Sequence, residues 1–121
     1  MKKILLVDDS STIRDEVCAA IVAIGDYQIL QAENGVKGLE EYEANKDISL
    51  IFLDVNMPEM DGITMLKRLK TQYEVSDLPV VMLTTEASAD LKKEAKENGA
   101  RAWLLKPFNQ DKIRKVLEKL L

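Results

Sequence analysis

Histidine is absent from this sequence and cysteine occurs once. The first absence removes the commonest general base, the commonest zinc ligand and the residue of phosphohistidine chemistry. The lone Cys18 excludes an internal disulfide. Set among apolar residues of a helical pattern, it reads as a small buried core residue rather than a redox group, and it suits a reducing cytoplasm. Long apolar runs are missing too: Met1-Lys2-Lys3 leads only into Ile4-Leu5-Leu6-Val7, too short for a signal-peptide core, and nothing downstream has the length of a membrane span. The expectation is a cytoplasmic protein without membrane insertion. Basic excess is also lacking, since the formal net charge is -4. No cationic stripe is available to neutralise the phosphates of a nucleic acid, so direct nucleic-acid binding is not expected. Whatever chemistry occurs must use carboxylates, lysine and hydroxyls.

What is present describes an ordinary globular chain. Its 121 residues, 46% hydrophobic and 31% charged, suit one domain over 1–121. Four short apolar runs, Ile4–Val7, Leu50–Leu53, Val80–Leu83 and Ala102–Leu105, lack polar alternation and read as buried parallel strands covered on both faces. A fifth, Tyr27 to Ala32, alternates and suits an edge strand. Helical periods lie between them. Ile13, Val17, Ala20, Ile21 and Ile24 follow the cap candidates Ser10 and Ser11, with Gly25 as a stop. Val36, Leu39 and Tyr42 mark a second helix, Ile63, Leu66 and Leu69 a third, Leu91 and Ala95 a sparse fourth with Leu91 as its one strong anchor, and Ile113, Val116, Leu117 and Leu120 a fifth. Five βα units with right-handed crossovers make an α/β fold, a doubly wound five-stranded parallel sheet with five helices. The order 2-1-3-4-5 is adopted from known sheets of this kind rather than obtained from these residues, although the polar second run suits an edge.

Ligands of such sheets bind beyond the carboxyl ends of the strands, near the point where strand order reverses. Asp8 and Asp9 follow the first run, Asp54 the third, Thr84 the fourth and Lys106 the fifth. Taken singly, each has an ordinary explanation: an acid that caps a helix, a turn threonine, a surface lysine. Their shared position at the ends of four strands favours a site. Three gathered carboxylates raise one another's pKa unless cations compensate, and a divalent ion together with one lysine would balance them. Oxygen ligands without His or Cys favour Mg²⁺ or Mn²⁺. Such an ion would let a carboxylate attack phosphorus as a covalent nucleophile, with Lys106 and Thr84 contacting phosphoryl oxygens.

The segments Val7-Asp8-Asp9-Ser10, Leu53-Asp54-Val55-Asn56-Met57-Pro58-Glu59-Met60-Asp61-Gly62, Leu83-Thr84-Thr85-Glu86 and Lys106-Pro107-Phe108 carry a resemblance that spans essentially the whole chain. The sequence resembles the receiver domain of two-component response regulators, most of all the CheY-like chemotaxis regulators. The resemblance implies the flavodoxin-like (CheY-like) fold; CheY is itself one of the proteins known for the 2-1-3-4-5 order. It makes Asp54 the phosphoacceptor, with Mg²⁺ held by Asp9, Asp54 and the Asn56 backbone carbonyl and by Asp8 through water. It makes Lys106 and Thr84 the phosphoryl contacts, Lys106-Pro107 a cis bond, and Trp103 the aromatic that turns inward as Thr84 moves. Asn56 and Glu86 would tune the lifetime of the phosphoaspartate. Two residues depart from the family pattern. Thr85 stands where Ala or Gly is usual, which implies narrower access, and Trp103 stands where Tyr or Phe is usual.

The resemblance further implies a CheA-like histidine kinase upstream and a protein target downstream, such as a flagellar motor switch protein. It implies a phosphoacceptor signalling domain rather than an enzyme, a monomer without an output domain after Leu121, and only self-directed phosphotransfer and autodephosphorylation. Phosphorylation is expected to reshape the face of helix 4, strand 5 and helix 5, including Ala87, Trp103, Leu105 and Lys112. A phosphorelay intermediate or a regulator outside chemotaxis would share every site residue. Three other classes fit less well. A haloacid-dehalogenase-type phosphohydrolase needs an acid two residues beyond its nucleophile, where Asn56 stands. A flavodoxin-like electron carrier needs a hydroxyl- and glycine-rich loop where Asp8 and Asp9 stand. A phosphorylation-independent receiver would lack part of the acidic set.

Overall fold

Apolar runs that cannot satisfy both faces alone become strands and draw the intervening amphipathic segments over them. The computed structural model describes residues 1–75 and 77–121. Among these, the strands are β1 (Lys2–Val7), β2 (Tyr27–Ala32), β3 (Ile48–Leu53), β4 (Val80–Thr84) and β5 (Ala100–Leu105). The helices are α1 (Ser11–Ile24), α2 (Gly35–Ala44), α3 (Gly62–Thr71), α4 (Ala89–Glu97) and α5 (Gln110–Leu120). All strand pairs are parallel, in the order β2-β1-β3-β4-β5, as expected. No helix of the described residues is long and apolar enough to cross a membrane.

Alternate strand residues point to opposite faces, so the core splits in two. Leu5, Val7, Ile51, Leu53 and Met82 face Leu39, Met65, Leu66, Leu69 and Ala95 of α2, α3 and α4. Ile4, Leu6, Leu50, Phe52, Val81 and Leu83 face Val17, Ile21, Ile113 and Leu117 of α1 and α5. Polar caps start the helices: the side chains of Ser10, Asn34, Asp61, Ser88 and Asn109 each accept the backbone N–H three residues on.

Four expectations need correction. The Ala102–Leu105 run is not a buried strand: β5 is the second edge, half-buried along most of its length, with Leu105 exposed. Val36 is not part of the buried stripe of α2. Gly35, Gly38 and Leu39 take the inward positions, because Met60 and Met65 lie where glycine side chains would begin. Ala95, not Leu91, is the fully buried anchor of α4, and Leu91 is only partly covered. Cys18 is half-buried rather than enclosed; desolvation, then the charge of Asp15, raises its thiol above the usual value.

Candidate functional site

β1 and β3 are neighbours at the switch point, so the residues that follow them share one rim. Asp54 N–H donates to the Val7 carbonyl at 2.9 Å and Asp8 N–H to the Ala32 carbonyl at 3.1 Å, which extends the ladder up to the acidic pair. Asp8 is 1% exposed and Asp54 7%, whereas Asp9 faces solvent. Carboxylate oxygens of the three lie within 4.8 Å of one another. Lys106 arrives from the end of β5, its N–H bonded to the Thr84 carbonyl at 2.9 Å. Its Nζ donates to Asp8 Oδ2 at 2.7 Å and to Asp54 Oδ2 at 3.3 Å. The Lys106-Pro107 bond is cis, as the resemblance implies.

Buried charge explains the electrostatics. Desolvation, then the Asp8 charge, raises the Asp54 carboxyl above its ordinary value; Lys106, the Thr84 hydroxyl and the Val55 N–H oppose this in part. For Lys106, burial is the largest single influence and pulls its pKa down. The hydrogen bond that Lys106 donates to Asp8 and the charges of Asp54 and Asp8 together outweigh it, and the net shift is upward. One ammonium against three carboxylates leaves an anionic pocket of oxygen donors without nitrogen or sulfur ligands, which fits a hard divalent cation such as Mg²⁺.

Asp54 is fixed as well as desolvated. Its Oδ1 accepts the Val55 N–H at 2.8 Å. From below, a Cβ on Gly62 would come within 1.9 Å of the Asp54 carbonyl oxygen, so α3 can start this close only with glycine. Glu59, in the loop between them, holds the left-handed region at φ 67°, which few non-glycine residues adopt.

Thr84 is fully buried and is the last residue of β4 rather than the first beyond it. Its hydroxyl accepts the Glu86 N–H at 3.2 Å. Glu86 is a junction that the sequence does not reveal. Its Oε1 accepts the Asn56 side-chain amide at 2.9 Å, and its backbone carbonyl accepts the Trp103 indole N–H at 2.9 Å. Asn56 and Thr85 are exposed and Trp103 is half-buried. The expected site residues thus lie together: Asp8, Asp54 and Lys106 are bonded at the rim with the Asp9 carboxylate beside them, and Thr84 and Asn56 connect through Glu86 to Trp103. Sequence reasoning missed Arg14, whose Nη1 donates to the Asp8 carbonyl at 2.5 Å. Its only trace in the sequence is a cation in the first turns of a helix, where the helix dipole disfavours one.

Fold and rim together define a doubly wound domain that holds a carboxylate cluster and a buried lysine at its switch point. Residues 4–118 match the response regulator receiver domain, and the chain belongs to that family of two-component signalling domains. It is similar to the chemotaxis protein CheY1 of Helicobacter pylori, with 34% identity over 98% of this chain and 96% of that protein. Among solved structures it is similar to the chemotaxis response regulator CheY4 of Vibrio cholerae, with a TM-score of 0.89, 38% identity, and 100% and 99% of the two chains covered. It is also similar to a chain of the CheX–CheY–BeF3–Mg²⁺ complex of Borrelia burgdorferi, with a TM-score of 0.89, 25% identity, and 99% and 90% covered.

Proposed function

We propose that this receiver domain accepts a phosphoryl group on Asp54 and signals, in chemotaxis, by altering the face formed by α4, β5 and α5. The observation that carries the reading is Lys106 Nζ set between Asp8 Oδ2 and Asp54 Oδ2 at 2.7 and 3.3 Å. A buried ammonium beside a raised carboxyl gives a basic, oriented nucleophile with a cation already in place for phosphoryl oxygens.

An Asp54 carboxylate oxygen attacks phosphorus of a phosphohistidine on a CheA-like histidine kinase. The new P–O bond forms as the P–N bond breaks, and its electron pair returns to the donor imidazole. Lys106 turns toward phosphoryl oxygens as a point charge, and the Thr84 hydroxyl donates to another. Asp8, Asp9, Asp54 and the Asn56 backbone carbonyl would hold Mg²⁺, or Mn²⁺, which when bound supplies positive charge that offsets the cluster and the incoming phosphoryl group. Asn56 and Glu86, bonded to each other at the mouth of the site, would set how readily water reaches the acyl phosphate. The reaction is self-directed phosphotransfer followed by autodephosphorylation.

A shift of Thr84 toward the phosphoryl group pulls on Glu86, whose carbonyl holds the Trp103 indole. Trp103 is therefore the switch residue. The surface that changes includes Ala87, Leu105 and Lys112, all exposed. The chemotaxis names of the relatives and the CheX partner of the Borrelia burgdorferi CheY support action by protein contact; the acting form in this reading is a monomer, with a target such as a flagellar motor switch protein.

Incubation with acetyl phosphate and Mg²⁺, followed by intact mass, tests the core of the reading. One phosphoryl adduct should form on the wild-type domain and none on Asp54→Ala or in EDTA. An adduct on Asp54→Ala would show that the acceptor lies elsewhere.

A further inference from the structure

We infer that Arg14 is a positioning residue that sets the direction of the Asp8–Asp9 peptide, and so strengthens cation binding even though its own charge opposes it. The inference rests on the proposed cation site. β1 ends at Val7 and α1 begins at Ser11, so Asp8, Asp9 and Ser10 form the whole connection. Asp8 is pinned at every polar atom: its N–H donates to the Ala32 carbonyl, Oδ1 accepts the Ser10 N–H at 2.9 Å, Oδ2 accepts Lys106, and its carbonyl accepts Arg14. Ser10 is held by Ile13 N–H on its hydroxyl at 3.3 Å and Arg14 N–H on its carbonyl at 3.0 Å.

Asp9 between them is exposed, and among the described residues no hydrogen bond or ion pair reaches its carboxylate. Its direction therefore depends on the two peptides that flank it. A peptide is planar, so fixing the Asp8 carbonyl fixes the Asp9 nitrogen and Cα as well. Arg14 does this fixing, and its side chain is itself braced: Nε donates to Gln31 Oε1 on β2 at 3.0 Å. Simple charge attraction does not account for the placement. Among the described residues Arg14 makes no ion pair with a carboxylate; its donors go to a carbonyl and an amide.

The two influences have opposite signs, which makes the inference testable. Loss of a positive charge beside the cluster would by itself tighten cation binding, whereas loss of the brace should loosen it. Calorimetric titration of the full domain with MgCl₂ should show weaker binding in Arg14→Met, by about 3- to 10-fold, at or below the low end of what partners of metal ligands usually contribute. Gln31→Leu changes no charge and should shift affinity in the same direction by a smaller factor, and Arg14→Lys should recover part of the loss. Urea midpoints measured in EDTA separate this from a merely structural role, which would lower the midpoint and leave the Mg²⁺ dissociation constant in place. Tighter binding in Arg14→Met, or unchanged affinity in both Arg14→Met and Gln31→Leu, would overturn the inference. A wild-type domain that takes up no Mg²⁺ would overturn the cation site itself, and this inference with it.

Discussion

β5 is covered on its two faces by helices of unequal grip. α5 buries Ile113, Val116 and Leu117 in the core that includes Phe52 and Leu83, with Ala102 and Leu104 of β5 packed against it. α4 buries only Ala95 and lays Leu91 partly on the opposite core. A recess of about 230 Å³ opens between α4 and β5 beside Ala95, Ala102 and Trp103, and another of about 200 Å³ beneath α3, lined by Leu66, Leu69 and Val80. The difference separates two tasks. One helix holds the edge strand in the fold, and the other is light enough in apolar contact to shift without unfolding the domain.

The largest expected effect follows from that inequality. Leu117→Ala should lower unfolding free energy by ~2–5 kcal/mol, the usual range for a buried leucine. Leu91→Ala, at a half-buried site on a separate open recess that it shares with Ile63, Thr64 and Lys67 of α3, should cost about 1 kcal/mol or less in the same urea titration. Equal losses would mean that α4 is as much part of the core as α5.

A second experiment relieves the rim rather than either helix. Asp54 binds its proton more tightly in the folded state than in the unfolded chain, because burial and Asp8 raise it above 3.8. Its ionisation therefore opposes folding. The opposition is absent below pH 3.8, grows as pH rises between 3.8 and the raised folded value, and is complete above it. In EDTA, Asp54→Asn should raise the urea midpoint at pH 7, and the gain should vanish as pH falls toward 3.8. Lys106 has the opposite sign: its raised pKa contributes stability that is present below pH 10.5 and lost as pH climbs through the folded value. If α4 opens locally, amide exchange in α4 should stay unchanged in Asp54→Asn while exchange in α5 slows with global stability. Slowing in both helices would tie α4 to the whole fold.

The same unequal grip explains what could be read from the residues. Strands β1, β3 and β4 are central, so their apolar runs announced them, and the reactive residues stood out because each closes such a run. β5 looked alike in sequence because apolar composition does not report how completely two helices cover a strand. In α2 and α4 the weight of the inward positions was misjudged for one reason: Gly35, Gly38 and Ala95 have little or no side chain, so Gly35 and Gly38 went unregistered and Ala95 ranked behind Leu91. The resemblance implied a coupling of Thr84 to Trp103, but its path lay beyond the sequence, since it runs through the backbone N–H and carbonyl of Glu86, which every residue has. Arg14 was hidden likewise, because its partner is the Asp8 carbonyl rather than a carboxylate.

The smallest expected effect concerns what holds α4 where apolar contact does not. Lys67 Nζ on α3 meets Glu94 Oε2 at 3.0 Å, and Lys70 Nζ donates to the Glu97 carbonyl at 3.0 Å. The first pair is 47% and 42% exposed, so solvent and salt screen it and its contribution should fall at or below ~0.5 kcal/mol. Against a buried leucine this is slight, but α4 has little else, and a local opening feels the whole of it. Lys67→Met should therefore speed amide exchange in α4 by about twofold, as such a loss implies, with α5 unaffected. Raising the salt concentration on the wild-type domain should reproduce part of that change, because the same pair is weakened by screening. Faster exchange in α5 to the same degree would show that the tie between α3 and α4 supports the entire fold, and the division of labour across β5 would fail.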